Sequence, residues 1–181
     1  NSCRMQIAVV GCGAAGLYTA KKLLERLPAI KISFFESELL PFGLVRTGIA
    51  PDHPELRTLR SKFSETILDN RTFYFGSGYS FDWHAAGRYF NGIIDARGGS
   101  VPNRLDILNY ESENVIDSQG IVEWILGLKK PGKFDEIISA AENISILGLG
   151  NVSLDVARFL ISKPGHYTNL ELGDEAIRFL H

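Results

Sequence analysis

Apolar residues along the chain fall into short continuous runs and one-sided stripes that take turns. Residues 5–10 (MQIAVV) form an apolar run that stops at a glycine, the pattern of a strand buried on both faces. Leu17, Ala20, Leu23, Leu24 and Leu27 then recur at helical spacing, predicting a helix over 14–27 that ends before Pro28. Residues 31–36 (KISFFE) read as a second strand. Residues 54–70 read as a helix with Pro54 in its first turn and Leu56, Leu59, Phe63 and Ile67 on one face. Short strands are expected at 72–75 and at 90–96, the latter closed by Gly98 and Gly99. The stretch 100–119 is polar and irregular. Beyond it the pattern predicts a short helix over 120–128, a buried strand over 143–147 (NISIL), a helix to about residue 162, and a last helix starting near Gly173. Strands alternating with helices predict an α/β fold with a mainly parallel sheet.

One unit, strand then Gly-x-Gly then helix, occurs twice. In VVGCGAAG, Gly11, Gly13 and Gly16 have G-x-G-x-x-G spacing between a predicted strand and a predicted helix. The first glycine permits the tight turn, the second lets the backbone approach a diphosphate, and the third lets the helix pack against the strand. The helix N-terminus offers unpaired N–H groups and the positive end of its dipole to the phosphates. Glu36 ends the second strand 20 residues beyond Gly16, where a carboxylate accepts hydrogen bonds from a ribose. An adenine dinucleotide is expected there, and the motif alone leaves NAD and FAD both open. The second copy, ILGLGNVSLDVARFL, has Gly148 and Gly150 with Ser153 at the third small position. The fold class expected is therefore a Rossmann-like domain followed by the beginning of a second one.

Composition narrows the partners. The 181 residues carry a formal charge of −2 with no long Lys/Arg block, which argues against a nucleic-acid or membrane surface. No apolar run reaches the roughly 18 to 20 residues of a membrane span. Two cysteines, Cys3 and Cys12, with no C-x-x-C, argue against a disulfide framework and for a reducing compartment, and Cys12 reads as a small residue in the turn. No metal site is expected. The start of the chain does not read as a signal or transit peptide.

Between the second strand and the helix that opens near Pro54 lies LLPFGLVRTGIAPDHPE, too long for an ordinary return to a helix and stiffened by prolines. A loop of this length inside a compact chain is either disordered or functional, and if it holds a ligand, one larger than NAD suits it. PFGLVRTGIAPDHPE, with GCGAAGLYTAKKLL before it and ILGLGNVSLDVARFL after it, closely resembles the adrenodoxin reductases, the glutathione-reductase-like group of ferredoxin–NADP reductases. The resemblance runs from about Met5 to Pro164. It implies a flavoenzyme that takes a hydride from NADPH onto FAD and passes single electrons to an iron–sulfur ferredoxin. It puts Gly11, Gly13, Ala15 and Gly16 at the FAD phosphates, Glu36 at the ribose, Leu44 on a flavin-contacting position of the loop, and Ser80 near the adenine, where the family usually has valine. Leu149, Gly150, Asn151 and Val152, with Gly148, fall on NADP diphosphate contacts. It implies an FAD domain over 1–104, a partial NADP domain over 105–181, and a mitochondrial matrix location in a eukaryote or a cytoplasmic one otherwise.

His53 and Asp155 are the candidate reacting pair. Both match characteristic positions of the family, and the expected fold brings them together near the cofactor junction. A His–Asp hydrogen bond there fixes a tautomer and stabilises charge as hydride moves, or it simply clamps the loop; the sequence leaves both open. Arg46 either pairs with an acid or lies near the flavin. Trp83, Trp124 and Phe75 are expected in the core.

The chain departs from the family at Ala14, where proline is common, and at Arg97, where the family has a small residue. Residues 104–114 lack the Pro-Gly that usually joins the two domains. Only 31 residues follow Gly150, so the 2′-phosphate-reading arginines and the return of the chain to the FAD domain are expected beyond His181, and the chain reads as an N-terminal piece of a longer enzyme. Two alternatives stand beside a ferredoxin reductase. One is another FAD/NADPH reductase subunit, such as the small subunit of glutamate synthase. The other is a non-catalytic dinucleotide-binding domain.

Overall fold

The computed structural model describes residues 5–53, 55–76, 80–99, 104–128, 133–167, 170 and 172–180, the side chains of 56, 57, 133–135, 164 and 175 excepted. Expectations that touch residues 1–4, Cys3 among them, and Pro54 lie outside this set. The chain divides into two compact units, Asn1–Arg46 with Glu55–Ser100, and Thr47–Pro54 with Val101–His181.

In the first unit, β1 (Gln6–Val10), β2 (Lys31–Glu36), β3 (Thr72–Gly76) and β4 (Gly92–Asp95) form a four-stranded sheet in the order β3-β2-β1-β4, and every pair is parallel. Parallel neighbours need crossovers. The helix α1 (Ala14–Arg26) links β1 to β2, and after the single turn α2 (Leu44–Thr47) the helix α3 (Glu55–Ile67) precedes β3. A further single turn, α4 (Trp83–Ala86), precedes β4 and is capped by Asp82, whose side chain accepts from the Ala85 N–H at 2.9 Å.

Central β1 is apolar because it is covered: Ala8, Val9 and Val10 are buried, as are Leu17, Ala20 and Leu24 of α1. Phe34 of β2 and Phe63 of α3 complete this core, and Tyr18 meets Phe63 edge to face at 5.0 Å. Burying a side chain such as Phe34 or Phe63 stabilises by about 1.5 to 3 kcal/mol. The helix α1 stops where the stripe stops: Leu27 N–H donates to Leu23 O, and Pro28 cannot continue the helix. From β1 the chain builds outward to β2 and β3, then returns to the other side of β1 with β4. The strand order therefore reverses at the carboxyl end of β1, where open α/β sheets bind ligands.

The second unit is helical among the described residues: α5 (Ser118–Ile125), α6 (Lys133–Ala140), α7 (Asn151–Ile161), a 3₁₀ turn over Pro164–Tyr167 and α8 (Asp174–Leu180). Asp117 caps α5 through the Gly120 N–H at 2.7 Å. Trp124, Ile125, Ile138, Val156, Phe159 and Tyr167 form its core. Trp124 is buried as expected, whereas Phe75 and Trp83 of the first unit are half exposed and correct that expectation.

The strand expected over 143–147 is not formed. Residues 143–149 carry no regular secondary structure, and Ile144, Ile146 and Leu147 are exposed. A β-strand is stable only with a neighbour to satisfy its N–H and C=O groups, and the described part of this unit contains no strand. The helices α2, α4 and α6 and the 3₁₀ turn were not expected. The first two are single turns whose sequences carry no periodicity, while Ile137 and Ile138 were an available signal for α6.

Candidate functional site

The first glycine turn is built by close backbone contacts. Gly11 has φ +99°, and a Cβ placed on it would lie 2.3 Å from the Ala96 carbonyl oxygen at the exit of β4, so no other residue fits. Its N–H donates to Phe35 O at 2.8 Å, tying the turn to β2. A Cβ on Gly16 would meet Gly11 O at 2.2 Å, which is how closely α1 sits on the end of β1. Gly13 caps α1 with extended backbone and no side-chain hydrogen bond, so the first N–H groups of a 13-residue helix face outward, with Ala15 exposed on the rim.

Glu36 stands beside this turn. One carboxylate oxygen accepts from the Cys12 N–H at 2.8 Å and the other from the Glu38 N–H at 3.2 Å, so the acid is oriented by backbone rather than by a cation. Burial, with the Glu36 charge added, pushes the Cys12 thiol up to about 12. Cys12 is thus a neutral filler rather than a nucleophile.

The long loop folds onto the same turn. Phe42 N–H donates to Cys12 O at 2.8 Å, and a Cβ on Gly43 would lie 3.2 Å from Gly13 Cα. Phe42 takes φ +87°, a costly conformation for an aromatic residue that this packing enforces. Leu44 then opens α2 with its side chain exposed. The Arg46 Nε is buried without a hydrogen-bond partner, and no acid pairs with it among the described residues. Of the two options for Arg46, pairing with an acid is the one not seen.

Beside Gly11 and Glu36 opens a cleft of about 910 Å³, within the range of small-molecule sites, which also takes in Ser80, Phe75, Trp83 and Arg97. Its walls are aromatic: Phe35 stacks on Phe75 at 5.2 Å, and Phe81 meets Trp83 edge to face at 5.0 Å. The Arg97 guanidinium lies 4.9 Å from the Trp83 ring centre and is held by Asp95 at 2.8 and 2.9 Å. Glycine backbone for a diphosphate, an oriented acid for a ribose and aromatic faces for a base are the parts an adenine dinucleotide needs.

The second glycine turn lies in the second unit. Gly148 has φ +115°, Gly150 caps α7 without a side-chain hydrogen bond, Leu149 is 91% exposed, and Asn151 and Val152 open the helix. One turn along α7 stands a charged cluster. The Nε2 of His53 is 3.1 and 3.2 Å from the two Asp155 oxygens. Arg158 donates from Nε and Nη2 to Asp52 at 2.5 and 2.9 Å, and from Nη2 to Asp155 at 2.8 Å. Segment 47–54 packs with the second unit, so His53 and Asp155 meet inside one unit and not across a junction of two. Burial would raise the Asp52 carboxyl, but the hydrogen bonds and charge of Arg158, with His53 beside it, outweigh burial and hold it below the ordinary carboxylate value. The same bonds raise Arg158 above its usual value. Sequence reasoning picked out His53 and Asp155 and missed Asp52 and Arg158. The signal for Arg158 was its i+3 spacing from Asp155 on one helix face.

The sequence is similar to those of several reductases. NADPH:adrenodoxin oxidoreductase of Bos taurus is 34% identical over 175 residues, covering 95% of this chain and 35% of that protein. The probable NADPH:adrenodoxin oxidoreductase of Schizosaccharomyces pombe is 33% identical over 169 residues, covering 92% and 36%. Over nearly its whole length, this chain is homologous to the adrenodoxin reductases. The structure of Mycobacterium tuberculosis FprA in complex with NADPH superposes with a TM-score of 0.83 at 26% identity, over 97% of this chain and 40% of that one. No family model matches the chain. These adrenodoxin-reductase relatives are described as mitochondrial, and the chain spans about a third of their length. Among the described residues no helix is long and apolar enough to cross a membrane, and no cluster of His, Cys, Asp and Glu has the makings of a metal site.

Proposed function

We propose that the chain belongs to an FAD-dependent NADPH–ferredoxin reductase, with FAD at the first glycine turn and NADP(H) at the second. The observation that carries this reading is the loop 37–46 lying on the glycine turn beside Glu36, an enclosure larger than a plain NAD turn requires. The α1 N–H groups would hold the diphosphate, Glu36 would accept the ribose hydroxyls, and the wall of Phe75, Phe81 and Trp83 would pack the base. When bound, FAD supplies the step from a two-electron donor to a one-electron acceptor. His53 and Asp155 are the pair assigned to orient and balance charge near the nicotinamide. The electron acceptor is an adrenodoxin-like iron–sulfur protein, and a mitochondrial matrix location fits the relatives' descriptions.

Calorimetric titration with FAD, NAD and NADPH tests the assignment. Binding of FAD is expected at the first turn, and Glu36→Ala should weaken it by about 1 to 3 kcal/mol, the scale of a hydrogen bond to a charged group. Flavin-free protein that binds NADPH at this turn would overturn the reading. FAD binding without reduction of any ferredoxin by the full-length protein would favour another FAD/NADPH reductase subunit.

A further inference from the structure

Among the described residues that line the cleft at the first glycine turn, Glu36, Asp82 and Asp95 bring carboxylates and Arg97 alone brings a positive charge. Arg97 starts at the turn itself: its backbone nitrogen lies 2.8 Å from a Cβ placed on Gly11. Its guanidinium ends over the Trp83 ring, 4.9 Å from the centre. The side chain therefore runs from the glycine turn to the aromatic wall.

Both members of this stack are held. Trp83 follows the Asp82 cap of α4, and Phe81 meets its ring edge to face at 5.0 Å. Phe81 in turn rests on Phe35 of β2 at 4.9 Å. Arg97 is gripped by one carboxylate: Nε donates to Asp95 Oδ1 at 2.9 Å and Nη2 to Oδ2 at 2.8 Å, while the backbone N–H donates to the same Oδ1 at 3.2 Å. This grip decides what the guanidinium can still do. A phosphate would compete with a carboxylate already in place and be repelled by its charge. A planar ring needs no N–H group, only a fixed flat cation with room beside it. That room exists: the Arg97 side chain is 59% exposed, and a Cβ on the neighbouring Gly98, which also lines the cleft, would meet nothing within 4 Å.

We propose that Arg97 is a binding residue of this site, a flat cationic platform on which the purine base of the nucleotide stacks. A guanidinium stacks on π-faces as well as pairing with acids, and one laid over Trp83 and fixed by Asp95 is already ordered for it. The order of the groups fits a nucleotide: the Gly11 turn for the diphosphate, Glu36 for the ribose, and the wall with Arg97 for the base. A purine presents two fused rings to the platform and a pyrimidine one, so the contact discriminates between bases. The proposal rests on the assignment of an adenine dinucleotide to the first turn and adds the side chain that reads its base.

The test compares ADP with CDP by calorimetric titration of this chain. The two ligands carry the same ribose and diphosphate, so the ratio of their affinities isolates the base. ADP should bind more tightly than CDP, and Glu36→Ala should weaken both alike, which marks the cleft as the site. In Arg97→Gln the ratio should fall by about three- to tenfold. Arg97→Lys keeps the charge and loses the plane, so the ratio should fall nearly as far. Asp95→Asn loosens the guanidinium and should lower the ratio less. An Arg97 that served the phosphates would give a different result: ADP and CDP would weaken together in Arg97→Gln, recover in Arg97→Lys and keep their ratio. That outcome would overturn the proposal, as would ADP that fails to bind or that binds regardless of Glu36→Ala. Should Arg97→Gln not fold, Arg97→Lys decides through the same ratio. FAD titrated beside ADP separates this proposal from the cofactor assignment. A ratio that falls as expected in a chain that does not take FAD would uphold the platform and overturn FAD at the turn. FAD binding with a ratio that no Arg97 variant moves would overturn the platform alone.

Discussion

The two glycine turns of this chain share an apolar run, a Gly-x-Gly and a following helix, and have very different surroundings. The first follows β1, a strand paired on both sides, and its Gly11 is wedged against the backbone of Ala96. The second follows 143–147, an equally apolar run that pairs with nothing among the described residues, and the nearest atom to a Cβ on its Gly148 is the Ser153 hydroxyl at 3.3 Å. Both open a helix with an uncapped N-terminus. A strand-turn-helix motif thus specifies the turn and the helix by itself, whereas the strand needs neighbours, and without them its apolar residues stay in water.

The largest expected difference lies in the glycines. Gly11→Ala forces a methyl into the Ala96 carbonyl as well as an unfavourable φ, and should cost more than about 3 kcal/mol or abolish folding of the first unit. Gly148→Ala meets only the strained φ and a movable hydroxyl, and should cost about 1 to 2 kcal/mol. Urea unfolding followed by circular dichroism measures both, and equal costs would remove the contrast.

Next come the strands. Val9→Ser in β1 buries an unpaired hydroxyl and should lose about 2 to 4 kcal/mol, while Ile146→Ser, 38% exposed, should change stability by less than about 0.5 kcal/mol. Hydrogen exchange sharpens the point: amides of β1 should be protected and those of 144–147 should exchange fast. Protection at 144–147 would mean that this run has found a pairing partner.

A smaller effect is expected with pH. The Asp52 carboxyl is held below its unfolded value by Arg158, so its contribution is complete above about pH 4 and is lost as pH falls through the lower folded value. The second unit should therefore loosen in acid. Asp52→Asn should flatten that acid limb at a cost near neutrality of about 1 to 3 kcal/mol. Fluorescence of Trp124, buried in that unit's core, reports it once Trp83 is replaced by Phe. An acid limb that is unchanged in Asp52→Asn would assign it to other groups.

The smallest effect concerns Cys12. With its thiol pushed up to about 12 and fully buried, it should react with a thiol reagent at neutral pH only as fast as the first unit opens. Rapid labelling of Cys12 in the native Cys3→Ser variant would show that the turn is open.

Much of the molecule was legible in order along the chain. The spacing of Leu17, Ala20 and Leu24, the apolar run before Gly11, and the placement of Gly11, Gly13, Gly16 and Glu36 depend on neighbours within a turn or two, and these are properties a sequence states directly. Three things were decided only by the tertiary structure. The run 143–147 had the composition of a buried strand, but pairing is a contact between distant segments and no described segment supplies it. Phe75 and Trp83 had the hydrophobicity of core residues, yet the edge position of β3 and the turn of α4 leave them on the wall of a cleft. Asp52 and Arg158 are 106 residues apart, and their bond exists only because segment 47–54 packs against α7. Periodicity encodes which face of an element is apolar, while the identity of what covers that face, or of the charge that meets another charge, is fixed when the chain closes on itself.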